Sequence, residues 1–370
     1  MSDNAWVWAV LAVALVLALV GLWLLLGDRL TASRTRPRHA RPSRDQFRAD
    51  DAPPPPPKRA AVIINPTKFE DPTPILEGVH ATCERLGWDE PLVLRTTAED
   101  VGTGQARQAL AEAVDVVCVL GGDGTVRTVA QELVGSGLPL GLLGGGTGNL
   151  LARNLALPTD DVTAAVEVAL TGRNKHIDVG WAVLDPTPEQ SAGDTASAAN
   201  RYAFLVIAGL GLDAAIMENT SEELKAKMGW TAYVPAGVKN LLVRRFKAHM
   251  SVDGAAEVVY RARTILIGNC GKIQGGINLM PEAEPDDGIL DIVAISPRGV
   301  AGWAGVAAKV LSKSEKTTAT LDRYRGESVA ITVEHRQKVE LDGDILGEAD
   351  AVMMSVHPRG LIVRTPAPAP

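Results

Sequence analysis

The chain has 370 residues, of which 46% are hydrophobic, 22% are charged and 4% are aromatic. This length suggests about two globular domains, and the composition excludes a collagen, a disordered protein and a disulfide-rich miniprotein. The three cysteines, Cys83, Cys118 and Cys270, form no CxxC pair, which excludes a structural zinc cluster and favours a reducing, cytosolic setting.

The formal charge of −7 is unevenly distributed along the chain. Residues 1–59 carry nine Lys or Arg and five Asp or Glu, a balance of +4, whereas the remaining residues carry 28 and 39, a balance of −11. An acidic body behind a basic segment predicts a poor nucleic-acid binder and a protein that can lie at a membrane surface.

Residues 1–27 are predicted to form a transmembrane anchor. Residues 5–26 contain no charge, and a helix of this length, at about 1.5 Å per residue, crosses the roughly 30 Å hydrocarbon layer. Arginines are frequent only after this stretch, and the positive-inside rule then puts the body in the cytoplasm. A cleaved signal peptide is the alternative, but its basic first segment is missing. The expected location is therefore the cell membrane, single-pass, with a cytoplasmic body.

Residues 28–59 are predicted to be an Arg- and Pro-rich linker. Residues 53–57 are a polyproline run, which acts as a semi-rigid spacer. The arginines either touch anionic lipid head groups or belong to a solvated tether, and the sequence leaves both open.

Residues 60–178 alternate short apolar runs with helical segments. Strands are predicted at 60–65, 92–95, 114–120 and 138–143, and helices at 75–86, 104–113, 126–134 and 150–155. Near-continuous apolar strands that alternate with helices indicate a parallel sheet covered on both faces. The predicted fold class is therefore α/β, with a Rossmann-like N-terminal domain.

Residues 179–350 predict a second, β-rich and β-sandwich-like domain. Strand-like runs occur at 202–207, 258–267, 290–295, 328–333 and 352–356, with helical stretches at 221–245 and 300–311. Residues 351–370 are predicted to hold the last strand and a tail. Whether that strand returns to the first domain is left open by the sequence.

Two glycine-rich loops follow neighbouring predicted strands, GGDGT at Gly121–Thr125 and GGGTGN at residues 144–149. Glycines let successive backbone N–H groups surround an anion, and a helix that begins there adds its positive end. A carboxylate at Asp123 would repel a phosphate unless Mg²⁺ or a substrate hydroxyl lies between them. Each loop alone could be a tight strand–helix turn. Neither is a Walker A loop or a GxGxxG loop in the right context, which disfavours a P-loop ATPase and a dinucleotide dehydrogenase.

Two acidic segments follow in the second half of the chain. The run PEAEPDDGILD at residues 281–291 suits Mg²⁺ or Ca²⁺, or else is a solvated turn. The residues Asp342-Gly343-Asp344 fit a two-residue hairpin turn.

In this order and spacing, the motifs resemble the diacylglycerol kinase catalytic-domain family, which includes the sphingosine kinases and bacterial diacylglycerol kinases. The resemblance rests on Asn65-Pro66, GGDGT, GTGN, the segment FLVIAGLGLDA, PEAEPDDGILD and Asp342-Gly343-Asp344. It covers residues 60–365. It implies transfer of the ATP γ-phosphate to a lipid hydroxyl, most directly that of diacylglycerol to give phosphatidic acid, with ATP in a cleft between the domains.

The resemblance also implies roles for particular residues. The general base would be one of Asp342 and Asp344, with Asp123 also catalytic and Asp178 in a supporting polar network. A structural Mg²⁺ would be held by Glu284, Asp287 and the carbonyl of Ile289. Nucleotide contacts would come from Asn65, Pro66, Thr96, Thr97, Gly121, Gly122, Asp123, Gly124, Thr125, Gly146, Thr147, Gly148 and Asn149. The expected cofactors are thus ATP and Mg²⁺, and the expected partners are a lipid substrate and the membrane, with no nucleic acid and with homo-oligomerisation left open.

The chain departs from the family pattern at four positions. Arg127 and Thr128 replace the usual Asn-Glu, Leu150 replaces an Asp, and Gly144 replaces a Pro. These departures motivate one alternative, a catalytically weakened kinase that binds nucleotide and lipid. An NAD kinase is a second alternative, because that family shares GGDGT and the two-domain plan.

Overall fold

The computed structural model describes residues 57–191, 200–211, 245–273, 278–297, 302, 306 and 321–367. Its N-terminal part is built on four parallel strands in the order β4-β3-β1-β2. Their bounds are β1 (Ala60–Ile64), β2 (Leu92–Arg95), β3 (Val116–Gly121) and β4 (Leu140–Gly145). Every residue of β1 and β3 is buried, as expected for strands with helices on both faces.

Alternate residues of β1 enter two different cores, because successive side chains of a strand point to opposite faces. Ala61 and Ile63 pack in one apolar cluster, and Val62 and Ile64 pack in another. The described helices are a 3₁₀ turn (Pro66–Lys68), α1 (Thr73–Arg85), α2 (Thr103–Ala111), α3 (Asp123–Leu133), α4 (Leu150–Asn154), α5 (Val162–Thr171) and α6 (Pro188–Ser191).

The C-terminal part is an antiparallel arrangement with its own apolar core. Its strands are β6 (Arg201–Phe204), β7 (Ile207–Leu210), β8 (Phe246–Val252), β9 (Val258–Ala262), β10 (Thr264–Gly268), β11 (Leu290–Ile295), β12 (Leu321–Gly326), β13 (Ser328–Leu341) and β14 (Asp344–Thr365). The neighbouring pairs β7–β10, β10–β11, β11–β12, β7–β13 and β8–β13 are all antiparallel. The prediction of an α/β part followed by a β-rich part is confirmed.

Two long strands join the halves. β14 has 22 residues, pairs antiparallel with β13 at its start and lies parallel to β4 at the pair Val363 and Leu140. β5 (Arg173–Leu184) pairs antiparallel with β14 along most of its length. The hydrogen-bonded sheet therefore runs from the parallel strands into the antiparallel ones without a break.

Several predicted elements differ from the structure. The predicted strand 202–207 is two strands, β6 and β7, and the predicted strand 258–267 is also two, β9 and β10. β5 and α5 were not predicted. For β5 the reason is that its charged first residues form no apolar run. The predicted helices 221–245 and 300–311 lie almost entirely outside the described residues, as does the linker 28–59 up to its last three positions.

The structure corrects the predicted single-pass location at the cell membrane. Within the described ranges no helix is long and apolar enough to cross a membrane. The longest of them, α1, has 13 residues, about 20 Å of helix against a hydrocarbon layer of roughly 30 Å. The segment on which the prediction rested, residues 5–26, lies outside the described residues.

Candidate active site

The two glycine-rich loops lie side by side, at the carboxyl ends of β3 and β4. Gly121 pairs with Gly145 across these strands. A Cβ on Gly146 would lie 2.8 Å from the Cα of Gly122, so the two loops approach too closely for a side chain. Gly145 also has a φ of +122°, which favours glycine. The adjacency that the sequence predicted for the loops is therefore present.

Asp123 ties one loop to the other. Its Oδ1 accepts a hydrogen bond from the backbone N–H of Leu150 at 2.6 Å, and Oδ2 lies where a Cβ on Gly148 would collide with it. The pKa of Asp123 is raised to about 6, mainly by burial and also by the charges of Asp342 and Asp344, against the lowering effect of the Leu150 hydrogen bond. Asp123 thus links the loops and starts α3, which begins three residues before its predicted position.

This raised pKa predicts a pH dependence of stability. The folded protein holds the Asp123 proton up to about pH 6, whereas the unfolded chain loses it near 3.8, so the contribution of Asp123 to stability falls as the pH rises between these values. Asp123→Asn keeps the acceptor oxygen but cannot titrate. Urea unfolding from pH 4 to 7 should show wild type losing stability relative to Asp123→Asn across this window. A difference that is independent of pH would contradict the assigned shift.

Asn65 and Thr125 meet beside the first loop. Thr125, in the first turn of α3, is buried, and its Oγ1 accepts from Asn65 Nδ2 at 3.4 Å. Asn65 Oδ1 in turn accepts from the backbone N–H and the hydroxyl of Thr67. The end of β1 and the start of α3 therefore share one polar network, next to which Pro66 begins the 3₁₀ turn.

The remaining predicted nucleotide residues differ in their exposure. Thr96 is buried, and its backbone N–H donates to Ile64. The hydroxyl of Thr97 accepts from the backbone N–H of Asp100, and Thr147 is exposed. Asn149 has a left-handed backbone and accepts from the Gly146 N–H at 3.3 Å, so it closes the second loop.

Lys68 is a candidate that the sequence analysis missed. It ends the 3₁₀ turn, is exposed, and its Cε lies 3.7 Å from where a Cβ on Gly122 would stand. An ammonium group at the rim of the glycine loop suits a phosphate ligand. In the sequence, only its position three residues after Asn65 pointed to Lys68, and that spacing belongs to none of the motifs considered.

The carboxylate of Asp342 binds the backbone that connects β6 to β7. Its carboxylate accepts from the N–H groups of three consecutive residues at 2.7, 2.8 and 2.9 Å, those of Leu205, Val206 and Ile207. The residue is 4% exposed, and burial raises the pKa of this carboxyl. Asp342 and Gly343 both have positive φ and form the predicted two-residue turn between β13 and β14.

Asp344 is the accessible carboxylate of this turn. Its side chain is 48% exposed, and Oδ2 lies 3.2 Å from Nη2 of Arg127 on α3. A Cβ on Gly124 would collide with the same carboxylate. The acidic turn therefore packs directly on the first turn of α3, beside the GGDGT loop.

Glu340 is a second residue that the sequence analysis missed. It lies on β13, two positions before Asp342 of the turn that follows this strand. Burial raises the pKa of Glu340, and the charges of Asp342 and Asp344 raise it further. Its position in the run VELDGD was the signal that could have been used.

Asp178 supports the junction of the two halves. It is fully buried on β5, and its two oxygens accept from the N–H groups of Gly288 and Arg359, each at 2.6 Å. Through these two hydrogen bonds, Asp178 holds the acidic segment 281–291 against β14. Neither bond involves the glycine loops.

The predicted metal ligands lie in the acidic segment 281–291, where Asp287 has an arginine partner. Asp287 Oδ2 is 2.6 Å from Nη2 of Arg325, its Oδ1 accepts from the Ile289 N–H, and Glu284 is exposed. Across the residues that the structure describes, no group of three or more His, Cys, Asp or Glu side chains could hold a metal ion. Arg325 supplies a positive charge at Asp287 here, and the Mg²⁺ set of Glu284, Asp287 and Ile289 stays a prediction.

Paired backbone loops at the carboxyl edge of a parallel sheet, where a helix begins, are typical of α/β proteins that bind phosphate groups. This chain has the same arrangement of loops, sheet edge and helix start. Residues 59–182 match the family model of the diacylglycerol kinase catalytic domain, and residues 206–365 match that of the YegS C-terminal NAD kinase beta sandwich-like domain. The chain belongs to the diacylglycerol kinase catalytic-domain family, which confirms the resemblance seen in its motifs.

Relatives include a Pseudomonas aeruginosa protein named "Probable lipid kinase YegS-like", 31% identical over 75% of this chain and 86% of that protein. A diacylglycerol kinase of Mycobacterium tuberculosis is 31% identical over 50% of this chain and 56% of its own length. An uncharacterized Synechocystis protein is 28% identical over 70% and 57%. The match thus spans little more than half the length of the last two relatives.

A crystal structure of a diacylglycerol kinase from Bacillus anthracis superposes with a TM-score of 0.60 at 20% identity. It covers 84% of this chain and 97% of that one. At this identity, the likeness shows that the fold is shared.

Proposed function

We propose that this protein is an ATP-dependent lipid kinase that phosphorylates the free hydroxyl of diacylglycerol to give phosphatidic acid. One observation carries the proposal beyond family membership. The carboxylate of Asp344 packs against Gly124, within the loop proposed to hold the phosphates. A base for the acceptor hydroxyl and a cradle for the donor therefore share one site.

The donor side rests on backbone geometry. Gly146 has no room for a Cβ, which would lie 2.8 Å from the Cα of Gly122, so the two loops meet backbone to backbone there. The 11-residue helix α3 starts at this point without a side-chain cap, and its positive end favours an anion. These features suit the triphosphate of ATP.

The acceptor side rests on Asp344. Phosphoryl transfer depends mainly on positioning and charge stabilisation, and a carboxylate assists by taking the proton of the attacking hydroxyl. Asp342 already accepts three backbone hydrogen bonds, whereas Asp344 is half-exposed. We therefore assign proton acceptance to Asp344 and anchoring of the turn to Asp342.

A radiolabelled-ATP assay against detergent-dispersed diacylglycerol, sphingoid base, ceramide, isoprenol and NAD tests the proposal. The expected product is labelled phosphatidic acid. Labelling of NAD alone would instead indicate an NAD kinase. ATP binding without transfer to any acceptor would indicate the catalytically weakened kinase.

Gly146→Ala should raise the KM for ATP about tenfold or more, the equivalent of one lost hydrogen bond to phosphate. The added methyl would meet the Gly122 Cα at 2.8 Å and push the loops apart. Gly78→Ala is the matched control, since nothing lies within 4 Å of its Cβ position on α1. Steady-state kinetics at saturating lipid gives both values, and equal KM values in the two variants would contradict the cradle.

Lys68→Met should raise the KM for ATP about fivefold, since it removes one charge near the phosphates at the protein surface. Methionine retains the stem that lies over Gly122. Lys247→Met removes a lysine of β8 that pairs with Glu334 of β13, and it should leave the KM for ATP unchanged. A Lys68→Met enzyme with wild-type KM would remove Lys68 from the site.

A further inference from the structure

Arg127 is an unusual buried cation in the first half of α3. The residue is 8% exposed, and an arginine is rarely this buried unless it is paired. Its Nη2 lies 3.2 Å from Asp344 Oδ2. Its Nε is buried without a hydrogen-bond partner, so the pairing does not satisfy the guanidinium fully.

The ion pair connects parts of the chain that are 217 residues apart. On one side is α3, where Asp123 stands one helical turn before Arg127 and Gly124 lies under Asp344. On the other side is the β13–β14 turn with Glu340, Asp342 and Asp344. Arg127 is thus the link between the glycine loop and the acidic turn that packs on it.

Several acidic groups surround the ion pair between Arg127 and Asp344. Burial raises the pKa values of Asp123, Glu340 and Asp342. The charge of Arg127 offsets part of this rise at Asp342. Like charges this close repel one another, and a half-exposed carboxylate would turn toward solvent without a cation to hold it. The small glycine beneath Asp344 and the cation beside it define one position for that carboxylate.

We propose that Arg127 is a positioning residue that holds the Asp344 carboxylate on the first turn of α3, in register with the glycine loop. The effect of Arg127 on the reaction rests on the proposed function, whereas its ion pair with Asp344 does not. A structural ion pair alone would stabilise the fold and leave turnover intact. The positioning role instead links the geometry of Asp344 to kcat.

The variants Arg127→Gln, Arg127→Lys, Asp344→Asn and the double variant Arg127→Gln/Asp344→Asn of the full chain test this. Arg127→Gln should lower kcat about 10- to 100-fold, the cost of misplacing a reacting group, and change the KM for ATP less than about threefold. Arg127→Lys should recover part of the loss. The double variant should be no slower than Asp344→Asn alone, because Arg127 acts through Asp344.

Arg107→Gln is the matched control, since the exposed side chain of Arg107 on α2 forms an ion pair with Glu132, which lies on α3 as Arg127 does. It should change neither kcat nor KM. Additive losses of kcat in the double variant, or wild-type kcat in Arg127→Gln, would overturn the inference.

A second readout separates this inference from the proposed function. Inactivity of the wild type on every acceptor would defeat the proposed function only. The same four variants then still report through urea unfolding, where Arg127→Gln and Asp344→Asn should shift the midpoint non-additively. Additive shifts would show that Arg127 does not hold Asp344.

Discussion

Replacing Asp344 with asparagine should lower kcat for lipid phosphorylation about 10²- to 10⁴-fold, the usual contribution of a positioned base. Asparagine has the same shape but cannot accept the hydroxyl proton. The KM for ATP should change little, since the proposed phosphate contacts come from the glycine loops. Initial rates with radiolabelled ATP and diacylglycerol measure both values.

Asp350→Asn is the matched control for this substitution. Asp350 lies on the same strand, β14, and is also an exposed carboxylate paired with an arginine, Arg336. Its replacement should leave kcat within error of wild type. Full activity in Asp344→Asn would move the proton-accepting role to another carboxylate of the site, with Asp342 next in line.

Replacing Asp342 with alanine should lower the free energy of unfolding by about 3 kcal/mol or more. Three backbone N–H groups lose their acceptor, two of them fully buried, and each buried donor left without a partner costs about 1–3 kcal/mol. Alanine is also strained at a φ of +50°. Urea unfolding followed by circular dichroism gives the change.

Asp342→Asn separates the two causes. Asparagine tolerates the left-handed backbone and keeps one acceptor oxygen, so its loss of stability should be smaller than that of alanine. An unchanged unfolding midpoint in both variants would show that the three hydrogen bonds do not anchor the turn. The Asp342 carboxylate would then be the better candidate for the base.

The sequence predicted those parts of the site that depend on neighbouring residues. The loops at Gly121–Thr125 and 144–149 were placed at strand ends by apolar runs, and the structure brings them together because β3 and β4 are adjacent. The hairpin turn at Asp342 and Gly343 was predicted from the preference of Asp-Gly for positive φ. Family membership followed from the order of these motifs.

Contacts between distant residues could not be predicted in this way. No local pattern relates Arg127 to Asp344 or Asp287 to Arg325, since each pair forms only when separate strands and helices pack together. Arg325 on β12 contacts both Asp287 and Asp291 of the acidic segment, which the sequence did not indicate. The break between β6 and β7 likewise depends on Asp342, which lies 135 residues beyond Ile207.

β14 has a consequence for biosynthesis. Leu140 of the parallel sheet acquires its β14 neighbour, Val363, only after more than 200 further residues have left the ribosome, and most of β5 also waits for this strand. Such long-range pairing slows folding and prolongs exposure of the unpaired edges. The β4 edge of the nascent N-terminal half therefore stays open until β14 has been synthesised, so this half is a poor candidate for expression on its own.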